Sequence, residues 1–258
     1  MILDKILLPL AEKRNAGNEE YLERHKRIIN TLPYREVLGL YIPEMKKVAK
    51  ELSREKTNAK TILSRFLATN SHKLFFEEML IWGFLINDID MSLPERVIQL
   101  QSYIPTMDNW AVCDSFCAHA KWMSHIKKKG LWKILKPWFQ SEKEFEVRFA
   151  IVASMTFMLE KEWLNDLFSE LEKINCQRIH SAYITSDKKT QRTQLGYVLG
   201  KSPYYVRMGI AWFLATALAK FPEETRSFVR KTSISDDIIQ LYFRKARESR
   251  RTRTTPYI

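Results

Sequence analysis

Apolar positions recur three and four residues apart along most of the chain, the spacing that gathers side chains on one face of an α-helix. Residues 1 to 15 and 18 to 31 read as the first two helices. In the second, Leu22, Ile29 and Leu32 keep step, with Ile28 beside them, and Pro33 stops the run. In Leu38 to Leu52, Pro43 suits a first helical turn, where its missing N–H costs nothing. Met45, Val48, Ala49 and Leu52 follow as the apolar stripe. Thr57 to Thr69 turns Ile62, Leu63, Phe66 and Leu67 inward, and Ser71 to Asp88 turns Leu74, Phe75, Met79, Trp82 and Leu85 inward. Further helices are expected at Glu95 to Tyr103 behind Pro94, from Asp108, at Leu131 to Phe139, and at Glu142 to Leu159 with Ser141 as cap. The Glu142 helix repeats Phe145, Phe149, Val152, Ala153 and Thr156 at helical spacing. Glu162 to Ile174, Pro203 to Phe221, Glu223 to Arg230 and Ser235 to Ser249 complete the series.

Roughly a dozen amphipathic helices with short links, paired in units of about 40 residues, describe an α-solenoid. The expectation is an all-α, right-handed solenoid of HEAT-like repeats over 1–258 with a groove along its concave face. One stretch departs from it. Between Ile174 and Pro203, Ala182 to Thr185 and Leu195 to Leu199 are β-prone and flank a polar tip of Ser186 to Arg192. A β-hairpin insertion at 176–200 is predicted, resting on the helices because an isolated pair of strands is marginal.

Composition supports helices over sheets. Only seven of 258 residues are glycine, while Leu, Lys, Glu, Arg and Ala are plentiful. No apolar run approaches the roughly 18 residues of a membrane span. The amphipathic start, MILDKILLPLAEKR, lacks a small-residue cleavage site and reads as a helix. Three cysteines without framework spacing fit a reducing cytoplasm. The formal net charge of +12 points to a polyanion, most often nucleic acid. Basic residues gather at Lys127, Lys128 and Lys129, at Lys188, Lys189 and Arg192, at Lys201 and Arg207, and at Arg244 and Lys245 leading into a basic tail, 250–258. Each cluster alone reads as a solvated face; four of them favour phosphate contact and a steep fall of affinity with salt.

The chemistry-bearing stretch is Asp108 to Met123. On a helix, Asp114 falls one turn from Trp110, with Cys113 and Cys117 on the next stripe. Two readings stand. In one, Asp108 is the N-cap, Trp110 belongs to the core and Asp114 bonds a backbone N–H. In the other, Asp114 is a carboxylate on the wall of a binding cleft. Cys113, Cys117, His119 and His125 lack paired metal-ligand spacings, and Cys113 has no base at hand. No phosphate loop, H-E-x-x-H or G-x-S-x-G occurs, so no metal or cofactor is expected.

Leu38 to Leu52, the Trp110-x-x-x-Asp114 step, Arg148 in VRFAIV and Trp212 in VRMGIAWFL resemble the HEAT-like-repeat DNA alkylation repair (AlkD-like) superfamily, in order and over most of the chain. In its glycosylases a concave helical surface grips duplex DNA and excises 3- or 7-alkylated purines. The resemblance implies Asp114 as the carboxylate, Trp110 and Trp212 as the flanking indoles and Arg148 as a DNA contact. A carboxylate there would stabilise a developing oxocarbenium, and indole faces would meet a cationic base. Two departures matter. Ala111 stands where an acidic residue is expected, and the 176–200 insertion marks the hairpin-bearing AlkF/AlkG branch, which prefers three-way and Holliday junctions and lacks alkylbase excision. The resemblance therefore implies a cytoplasmic, nucleoid-associated monomer that binds duplex and branched DNA, with Lys188, Lys189 and Arg192 on phosphates. A monofunctional alkylpurine glycosylase using Asp114 is the alternative.

Overall fold

The computed structural model describes residues 2–186 and 197–258. Among them are thirteen α-helices: α1 Asp4–Asn15, α2 Glu19–Ile29, α3 Ile42–Ser53, α4 Lys56–Ala68, α5 Phe76–Asp88, α6 Leu93–Tyr103, α7 Trp110–His119, α8 Lys128–Leu135, α9 Glu144–Phe157, α10 Leu164–Lys173, α11 Tyr204–Lys220, α12 Pro222–Val229 and α13 Asp236–Glu248. The all-helical expectation holds, with two adjustments: the Ser71 to Asp88 stretch opens as a 3-10 turn, Ser71–Lys73, before α5, and the Leu131 to Phe139 stretch closes as one, Lys136–Gln140, after α8. The described residues form two compact units, Met1–Trp122 with Ala182–Leu199 and Met123–Ser181 with Gly200–Ile258. No helix among them is long and apolar enough to cross a membrane.

In the first unit the core is built on α5, which is buried on every side from Phe76 to Ile86 and packs against α3, α4, α6 and α7. Trp82 lies between Phe66 and Tyr103, with ring centroids 5.5 and 5.0 Å away. Two buried carboxylates tie the unit's loops to α5. Glu78 accepts Leu3 N–H at 3.0 Å and Phe75 N–H at 3.1 Å. Glu77 accepts the N–H groups of Leu38, Gly39 and Leu40 at 3.0, 3.0 and 3.2 Å. Pro43 stands in the first turn of α3, as expected, and the segment before it is held to α5 by these three bonds. Gly39 makes the turn possible, at φ +80°, and a Cβ there would lie 2.8 Å from Tyr21. Desolvation raises the Glu77 carboxyl to about 7 despite the three donors.

The second unit packs α9 and α13 against α11. Its α9 begins at Glu144, two residues later than the spacing predicts. Glu142 and Glu144 instead bond the backbone of His180, at 2.7 and 3.2 Å, in an isolated bridge at Lys143. Ser141 accordingly accepts Lys143 N–H at 3.0 Å rather than capping a helix at Glu142. Expected inward residues Leu67 and Thr156 face solvent, Leu67 at 43% exposure.

The insertion needs correction. Strands β1 (Ile184–Ser186) and β2 (Tyr197–Leu199) form, but Ile184 pairs with Tyr197 and Ser186 with Leu199 in parallel. A tight hairpin turn joins antiparallel strands; parallel ones need a connection that returns the chain to the starting end. The expected hairpin is therefore not the arrangement seen. Residues 187–196, with Lys188, Lys189 and Arg192, lie outside the described residues.

The 250–258 segment folds back on α13. Thr252 is fully buried, its hydroxyl donating to Ala246 O at 2.7 Å, and Tyr242 donates to Tyr257 O at 2.9 Å. Arg250, Arg251 and Arg253 remain exposed on this turn.

Candidate functional site

In the first unit the candidate residues stand at the start of α7. A short turn at Ile104–Thr106 leads into Met107 and Asp108, both buried. Asp108 is not the N-cap. Its Oδ2 accepts Arg35 Nε and Nη2 at 3.0 and 2.7 Å and the Tyr34 hydroxyl at 2.9 Å. The pair is deep, with side chains 1% and 10% exposed. Arg35 also donates Nη1 to Ser71 O at 2.7 Å and to Leu74 O. Burial and the neighbouring Asp108 carboxylate push the Tyr34 phenol up, so it stays a donor. With Asp108 taken, capping falls to Asn109, whose Oδ1 accepts Ala111 N–H at 2.7 Å.

The same corner gathers donors onto the C-terminus of α2. Its last residues offer carbonyls with no helical partner. Asn30 takes a left-handed φ of 57° and ends the helix. Trp110 Nε1 donates to Ile29 O at 2.7 Å, and Asn109 Nδ2 to the same oxygen at 3.1 Å. Tyr183, from the root of the insertion, shares its hydroxyl proton between Asn30 O at 2.8 Å and Asp108 O at 3.0 Å. The Trp110 indole is thus held by its polar edge. Asp114 follows one turn along α7, partly exposed, which keeps the Trp110-x-x-x-Asp114 step on one face. Cys113 and Cys117 are buried in the α7 packing face. Among the described residues no group of three or more His, Cys, Asp or Glu side chains is placed to hold a metal ion.

The other expected residues belong to the second unit. Arg148 of α9 is 5% exposed and donates Nη1 to Tyr205 O at 2.7 Å, at the start of α11. Trp212, on α11, is 37% exposed. Lys128 bonds Phe157 O at the end of α9 and pairs with Glu160 at 2.9 Å, whereas Lys127 and Lys129 are exposed. Arg207 spends its guanidinium on Asp237 at 2.7 Å and Ser202 O at 3.1 Å. Lys201 is exposed; Lys245 pairs with Glu248 at 2.8 Å, and Arg244 approaches Glu248 at 3.8 Å. The basic clusters are therefore mixed. Lys127, Lys129 and Lys201 present charge to solvent, while Lys128 and Arg207 are committed to holding helix ends.

Sequence reasoning missed Arg35, Asn109 and Tyr183. No local pattern pairs Arg35 with an aspartate 73 positions away, and Tyr183 reads as an ordinary strand residue.

Comparison with characterised proteins and with solved structures gave no significant match. A family model described as DNA alkylation repair enzyme, whose fold is a HEAT-like helical repeat, matches residues 6–252. That match covers both units and nearly every helix, and the chain belongs to the DNA alkylation repair enzyme family.

Proposed function

We propose that the protein binds DNA through its exposed basic residues, prefers branched over linear duplex, and carries out no base excision. Family membership and the +12 charge support DNA as the partner. The preference for branched DNA rests chiefly on one observation. The insertion is rooted beside Trp110, where Tyr183 bonds the backbone of Asp108 two residues before the indole. The sequence that follows this root carries Lys188, Lys189 and Arg192, the charges proposed to meet the phosphates of a second DNA arm. Against excision stand Ala111, neutral beside Trp110, and Arg148, whose burial and bond to Tyr205 O give it a packing role.

Titration of the wild-type protein with a four-way junction and a linear duplex of equal length tests this reading. Replacing residues 187–196 by a Gly-Ser linker should erase the junction preference. An unchanged preference removes the insertion from the mechanism. Release of 3-methyladenine or 7-methylguanine from methylated DNA, lost in Asp114→Asn, would make the protein a glycosylase instead.

A further inference from the structure

Glu144 stands in the first turn of α9, where an acidic side chain usually stays in solvent and answers the helix dipole. Here it is 3% exposed. Its two carboxylate oxygens go to parts of the second unit that are far apart in sequence. Oε1 accepts the Tyr205 N–H, in the first turn of α11, at 2.7 Å. Oε2 accepts the Ser181 hydroxyl. Arg148, one turn further along α9, donates to Tyr205 O at 2.7 Å, so α9 holds both backbone polar groups of Tyr205. The Ser181 side is also held more than once. His180 donates its N–H to Glu142 O at 2.7 Å and accepts Glu144 N–H at 3.2 Å, and Arg178 pairs with Glu142.

Ser181 and Tyr205 are the two roots of the insertion. The sequence from 182 to 204 runs between them, with Lys188, Lys189, Arg192 and Lys201. Burial raises the Glu144 carboxyl in spite of its donors. A buried acid of this kind adds little stability over apolar packing, and its best-attested use is to specify one arrangement among several. A segment whose ends are fixed also has fewer conformations to lose when it meets a ligand. We propose that Glu144 is a positioning residue for junction recognition, fixing where the insertion leaves the second unit and where it returns. The inference rests on the junction-binding reading and deepens it, by naming what anchors the ends of the segment.

Fluorescence anisotropy on the full chain tests it, with a four-way junction and a linear duplex at the same salt. Ser181→Ala removes one bond of the clamp and leaves the start of α11 in place. It should lower the junction-to-linear affinity ratio about fivefold, the factor equivalent to the net stabilisation of one hydrogen bond, with linear-duplex affinity unchanged. Glu144→Ala should lower the ratio further. Glu144→Gln should restore most of it, since an amide oxygen still accepts the Tyr205 N–H and the amide nitrogen can donate to the Ser181 hydroxyl. A role in stability alone would weaken both complexes together, and equal losses on the two DNAs overturn the positioning role. A ratio that falls when residues 187–196 become a Gly-Ser linker, yet is unmoved by Ser181→Ala and Glu144→Ala, overturns it too and leaves the insertion's part intact. A wild-type ratio near one overturns the junction reading itself.

Discussion

Replacing Arg35 by methionine should unsettle the whole α7 entrance. The guanidinium makes two bonds to Asp108 and two to the carbonyls of Ser71 and Leu74, and is 1% exposed. Methionine keeps the aliphatic bulk but leaves Asp108 buried with the Tyr34 hydroxyl as its one remaining donor among these contacts. Breaking a buried pair from one side costs on the order of 3–5 kcal/mol, mainly from the stranded charge. For a chain of this length that corresponds to a fall in Tm of roughly 10 °C. Urea unfolding by circular dichroism would measure the loss, and hydrogen exchange would localise it to α7. Asp108→Asn and the double variant complete a cycle. Their coupling should exceed about 1 kcal/mol, since the partners touch. A loss below about 1 kcal/mol for Arg35→Met, or a coupling near zero, would refute the claim that this pair holds the Trp110 corner.

Stability should also depend on pH through Glu77. Its folded carboxyl is raised from 4.5 to about 7, so the unfolded chain ionises first. Both states are protonated well below pH 4.5. Between 4.5 and 7 the unfolded state gains, and folding weakens by about 3 kcal/mol before levelling off. Glu77→Gln should lack that component; parallel pH profiles for the two proteins in urea would contradict it. Tyr183→Phe removes the donor shared by Asn30 O and Asp108 O and should cost about 1–3 kcal/mol. It should also lower junction affinity more than linear-duplex affinity. Equal losses on the two DNAs would show that the tether stabilises without aiding recognition.

The helices were legible because apolar residues recur at helical spacing along them, and that spacing is a local pattern even where, as in α5, burial extends all round. Met45, Val48 and Ala49 on α3, or Phe145, Phe149, Val152 and Ala153 on α9, need no distant partner to be recognised, and all are buried as expected. The Trp110-Asp114 step survived for the same reason, being a matter of one helical turn. What lay beyond reach was where polar groups far apart in sequence would meet. The start of α9 shifted because His180 donates its N–H to Glu142 O and accepts Glu144 N–H, and Glu77 on α5 gathers the N–H groups of Leu38 to Leu40 from 37 or more positions away. The capping role moved from Asp108 to Asn109 because Arg35 had taken the carboxylate. Likewise β-propensity marked both strands of the insertion but not their direction, since the same side chains suit parallel and antiparallel ladders. Periodicity settles which face of an element turns inward; hydrogen bonds and ion pairs across tens of residues are settled only when the packed elements bring donor and acceptor within 3 Å.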